Sequence, residues 1–81
     1  MSRYTVEIYA PEDNSAPLAS FSSDLPFMTL GQGDWIDPAS LGIDVDFGRR
    51  ALEIILIEHR LSNHGGVSGH TMLVHTRLAD R

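Results

Sequence analysis

The sequence predicts an all-β fold: a small, strongly bent antiparallel sheet, or partly open barrel, of four to five strands. Three observations carry this expectation. Arg3 to Tyr9 and His70 to Asp80 alternate side-chain character with a period of two, as half-buried strands do. Ile54, Ile55 and Ile57 fall within four residues, and β-branched side chains pack better on a pleated surface than on a helix. No other segment combines helical periodicity with helical length.

Each element has its own signal. In RYTVEIY, residues 3–9, Tyr4, Val6 and Ile8 share one face and Thr5, Glu7 and Tyr9 the other. The following APEDNSAP, 10–17, holds two prolines and reads as a loop. LASFSSD, 18–24, is a weaker strand. In PFMTLGQGDWI, 26–36, Gly31 and Gly33 suit a turn between apolar segments. IDPASLG, 36–42, reads as one helical turn, with Asp37 as cap, Pro38 at the first position and Gly42 at the exit. IDVDF, 43–47, alternates again.

Residues 49–61, RRALEIILIEHRL, admit two readings. As a strand they form a hairpin with 70–80 across a glycine-containing loop, SNHGGVSG at 62–69. As a helix, with Leu52, Ile55, Leu56 and His59 in a stripe, they give an α+β alternative. The isoleucines favour the strand.

All four histidines, His59, His64, His70 and His75, lie in or beside this hairpin and are the candidate metal ligands. One register pairs His59 with Val74 and Glu58 with His75, so that His59 and His75 point to opposite faces. The next register sets His59 opposite His75 and would allow a three-histidine zinc site. The spacing of the four matches no standard zinc signature. His59, at an apolar strand end, is the one expected to be buried and neutral, which would make acid destabilising near about pH 5–6.

Composition narrows function. The chain has 81 residues, one domain's length over 1–81, and buries about 60–65% of its unfolded surface. With no cysteine it has neither disulfides nor thiolate ligands. Self-association is one way for such a thin core to gain buried area. The net charge of −5 is unevenly placed, with eight acids and Arg3 in residues 1–48 but five arginines and three acids in 49–81. That balance disfavours a nucleic-acid partner, which wants a continuous positive field. Arg49, Arg50, Arg60 and Trp35 are the candidate interaction residues. The longest apolar run, Ile54 to Ile57, cannot span a bilayer, and residues 1–10 lack a signal-peptide core, so a cytoplasmic location is expected.

Catalytic and cofactor signatures are missing. Gly31 to Asp34 lacks the Gly-Lys-Ser/Thr end of a phosphate loop, no serine sits in a nucleophile elbow, and the aspartates form no calcium loop. The expectation is a noncatalytic protein-interaction or self-association module without a cofactor, partnered by a protein or by itself as a homo-oligomer. The alternatives are a metal- or small-ligand-binding protein using the histidine-rich hairpin and a weak nucleic-acid-binding barrel.

The segments LPFMTLGQGDWI (25–36), ILIEHRL (55–61) and HTMLVH (70–75) together resemble short uncharacterised bacterial proteins that fold as small SH3-like β-barrels. In those a Gly-Asp turn, here Gly33-Asp34, opens a barrel strand, and a later strand ends near a variable hairpin loop. The resemblance covers about half the chain and implies a barrel without implying an activity. The acidic segment 37–48 departs from its simplest form.

Overall fold

A computed structural model describes residues 2–11, 13–27, 29–38 and 50–80. Its strands are β1 (Ser2–Ala10), β2 (Asp13–Ser23), β3 (Trp35–Ile36), β4 (Ala51–His64) and β5 (Val67–Ala79). They form one sheet in the order β2-β1-β5-β4-β3, curled into an open half-barrel. No helix occurs among the described residues, so the strand reading of 49–61 holds over Ala51–His64. The expected strand at 43–47 and most of the expected turn at 36–42 lie outside the described residues.

Two loops of the sequence reading are strand instead. Residues 13–17 of the APEDNSAP segment become the start of β2, which pairs antiparallel with β1 and carries register shifts around Tyr9. Pro17 is tolerated because β2 is an edge strand, where a missing N–H costs no ladder bond. The 62–69 loop shrinks to Gly65-Gly66, with φ of 59° and 82°, and His64 pairs with Val67. Positive φ at both positions gives the two-residue hairpin turn whose twist matches its strands. Polar Ser62, Asn63, Ser68 and Gly69 simply continue the ladder.

That tight turn sets the register. His59 pairs with Met72, Ile57 with Val74 and Leu61 with His70. Neither register expected from the sequence occurs. Between the turn and the bulge at Ile55 the observed one keeps the parity of the first, so His59 and His75 do point to opposite faces, with each pairing displaced by two residues; beyond the bulge the displacement is three. One further pairing departs from a purely antiparallel sheet: β1 runs parallel to β5, from Ser2–Ser68 to Ile8–Val74.

A β-bulge interrupts β4. Ile54 pairs with Thr76 and Leu56 with His75, leaving Ile55 without a partner. Before the bulge the even residues Leu52 and Ile54 face inward; after it the odd residues Ile57, His59 and Leu61 do. The core forms on this inner face from Val6, Ile8, Ile54 and Val74, with Phe27, Leu30, Ile36, Ile57 and Met72 packed against it. Ile55, expected on the apolar face, is 41% exposed.

The parallel ladder stops at Ile8–Val74, and there the buried Thr76 hydroxyl donates to the Tyr9 carbonyl at 2.7 Å. Thr76→Val keeps the shape but leaves that carbonyl without its donor. It should cost about 1–3 kcal/mol in urea unfolding. An unchanged midpoint would show that water replaces the hydroxyl.

Candidate functional site

The parity of the hairpin sorts the four histidines. His59 on β4 and His70 on β5 share the inner face as diagonal neighbours. His75 lies on the outer face, and His64 sits beside the Gly65-Gly66 turn. Among the described residues no three of His, Asp and Glu converge as metal ligands do. A three-histidine site built on a His59–His75 pair is therefore not formed.

His59 and His70 meet directly. His59 Nδ1 lies 2.8 Å from His70 Nε2. The ring centroids are 5.1 Å apart with 29° between planes. That spacing is close to the nitrogen separation plus two ring radii, so the rings meet edge to edge. An N–H···N bond of this kind carries one proton between two lone pairs.

Tyr4 pairs with His70 across the parallel ladder, and its ring stands edge-on at 6.3 Å and 70°. Beside the pair is a cavity of about 310 Å³, lined by Tyr4, Phe27, Leu30, His59, His70 and Met72 among others. His59 itself is exposed and His70 half-buried. The expected burial of His59 is thus not observed, because the sheet edge beyond it stays open, and acid lability from a buried neutral ring loses its basis. A larger recess of about 470 Å³ lies near Ser2, Arg3, Ser23 and Asp24, away from the imidazoles.

The outer face holds a second group. His75 stacks on Tyr9, with centroids 5.3 Å apart and 15° between planes. Glu58 pairs with Leu73 rather than with His75, yet reaches His75 Nε2 diagonally at 3.9 Å. The Tyr9 hydroxyl donates to Glu7 at 3.5 Å. Burial first, and then the negative charge of Glu7, push the Tyr9 phenol above its ordinary value of 10.0.

The sign of the consequence is fixed. An unfolded tyrosine loses its proton before the folded one, so this contribution is intact below pH 10 and is lost as pH rises through the folded value. Wild-type thermal stability should therefore fall more steeply above pH 10 than that of Tyr9→Phe. Parallel curves for the two proteins would contradict this.

The candidate interaction residues are dispersed. Arg50, just before β4, and Arg60 on β4 are ten positions apart, at most roughly 33 Å of extended chain. Each sits beside a carboxylate: Arg50 with Asp80 at 3.5 Å and Arg60 with Glu58 at 3.7 Å. They form no basic track for a phosphate backbone. Trp35, 53% exposed, lies on the outer face in a row with Glu53 and Arg77, which are bridged at 3.1 Å. Arg49 lies outside the described residues.

Sequence reasoning did not reveal the free edge of β4. β3 covers only its beginning, pairing with Leu52 and Glu53, while Gly33 and Asp34 bond the backbone of Ile54. From Leu56 to His64 nothing among the described residues pairs with the outer edge. Leu56 is 56% and Leu61 78% exposed along it. No helix among the described residues is long and apolar enough to cross a membrane.

No protein-family model, curated protein or solved structure matches this chain. What it can do rests on its own geometry.

Proposed function

We propose that this chain is a noncatalytic self-association module that pairs with a second copy through the edge of β4. The observation that supports it is the stretch Leu56 to His64, whose outer edge, with its row of N–H and C=O groups, is paired by nothing among the described residues. The opposite edge, β2, is blunted by Pro17 and serines, the usual protection against sheet extension. Between Leu56 and His64 β4 has no proline, so each residue there keeps its N–H.

The sequence of the edge selects a partner and a register. A two-fold antiparallel pairing centred on His59 sets Glu58 opposite Arg60 of the second copy, twice by symmetry. On the inner face it sets Ile57 opposite the second copy's exposed Leu61. Moving the centre by one residue puts Glu58 opposite Glu58, or Arg60 opposite Arg60, and like charges directly opposite are destabilising. An isologous pairing of this kind closes as a dimer. The resemblance to small SH3-like barrels and a cytoplasmic setting belong to this same reading.

Sedimentation velocity across a range of protein concentrations tests it. A monomer–dimer equilibrium, with amide exchange along Leu56 to His64 slowed at high concentration, is the expected result. A monomer at every concentration would overturn the reading.

A further inference from the structure

We infer that His59 and His70 form a copper site, with the Met72 thioether as third donor. It goes beyond the pairing proposed above and does not depend on it, because all three donors belong to one chain.

The two imidazole nitrogens already face each other at 2.8 Å with a single proton to share. A metal ion can take the place of that proton. Metal–nitrogen bonds of about 2.0 Å span about 2.8 Å at a right angle and about 4.0 Å in line. The observed separation is at the closed end of this range, and small rotations of the two rings open the rest. His59 is exposed and can rotate, while the edge of Tyr4 supports the His70 ring.

Met72 supplies what two histidines lack. It stands directly across the ladder from His59, two residues along the same strand from His70, and all three line one cavity. A diagonal histidine pair with a methionine adjacent to both brings two borderline nitrogens and one soft sulfur to one face. That donor set favours Cu(I), and the imidazole pair also suits Cu(II), which heads the divalent affinity series. Among the described residues no carboxylate lines this cavity, so hard cations such as magnesium and calcium find no oxygen ligands in that set. Zinc sites draw on imidazole, thiolate and carboxylate ligands, and a thioether is not among them, so Met72 adds little for zinc. Phe27 and Leu30 contribute apolar side chains to the cavity lining.

The other two histidines serve as internal controls, His64 beside the turn and His75 on the opposite face. The experiment strips the chain with EDTA and titrates it with Cu(II), and separately with Cu(I) held reduced by ascorbate against a chromophoric competitor. One ion per chain is expected, with Cu(II) showing electron paramagnetic resonance couplings to imidazole nitrogens. His59→Ala and His70→Ala should each weaken binding by more than the roughly 10–100-fold that loss of an outer-shell partner costs. Met72→Leu, which preserves volume, should weaken Cu(I) selectively. His64→Ala and His75→Ala should bind as wild type, and circular dichroism confirms that each variant is folded.

No stoichiometric copper, binding that survives His59→Ala combined with His70→Ala, or equal losses in His64→Ala would overturn the site. Arg60→Glu separates it from the proposed pairing. Copper binding unchanged in that monomeric variant supports a one-chain site. Copper binding lost together with the dimer overturns the one-chain site and leaves the pairing intact.

Discussion

Ile54→Ala should lower the unfolding free energy by about 2–5 kcal/mol, while Ile55→Ala should change it by less than about 1 kcal/mol. The two residues are neighbours of the same type in the run Ile54 to Ile57, and the bulge decides which of them faces inward. Ile54 is fully buried in the cluster with Val6, Ile8 and Val74. Its truncation loses the transfer free energy of the removed methylenes and leaves a cavity that a close-packed core fills poorly. Ile55 is the extra residue of the bulge, unpaired and 41% exposed. Total stabilities of small domains begin near 5 kcal/mol, so Ile54→Ala removes much of what holds this thin core together. Urea unfolding followed by circular dichroism reads both. A larger loss from Ile55 than from Ile54 would mean that β4 runs without its bulge and that its inward parity is the reverse.

Arg60→Glu should weaken self-association by about 1–3 kcal/mol, roughly five- to 150-fold in dissociation constant. In the pairing centred on His59, each Glu58 faces an Arg60, and the substitution turns two attractive cross-strand pairs into two repulsive ones. Within one chain Arg60 lies 3.7 Å from Glu58 on the same strand, and both side chains are largely exposed. Such a pair contributes little to folding, so the monomer should melt as wild type. Exchanging the two residues, Glu58→Arg with Arg60→Glu, restores opposite charges across the two-fold and should restore the dimer. Raised salt should weaken the wild-type dimer, since both pairs are near the surface. Failure of the exchanged variant to recover association would rule out this register, even if the chain still dimerises by another route.

Much of the sheet was legible because alternation reports burial directly. Tyr4, Val6 and Ile8, and Met72, Val74 and Thr76, lie on the inner face as their spacing indicates. The isoleucines decided correctly between strand and helix for β4. Its bulge was not legible: Ile-Ile-Leu-Ile is apolar at both parities, so no alternation marks where the inward face changes. The first turns of β2 were hidden because Asp13 to Pro17 is polar and proline-bearing, which edge strands tolerate and loops prefer.

The candidate site was half legible. Composition put four histidines in one hairpin, but which of them meet depends on a register that differs by two residues from the one hydrophobic matching favours. Gly65 and Gly66 carried the missing signal, since consecutive glycines suit the two-residue turn that fixes His64 against Val67.

By itself, then, the sequence determined local state: which segments are extended, which side chains of β1 and β5 face inward, and where the chain can turn with positive φ. Only the tertiary structure decided which strands are neighbours. The parallel pairing of β1 with β5 brings Tyr4 to His70, and among the described residues the short β3 covers only the beginning of β4. Local propensity acts over a few residues, whereas strand order and free edges depend on contacts between segments some sixty residues apart, which alternation within one strand does not encode.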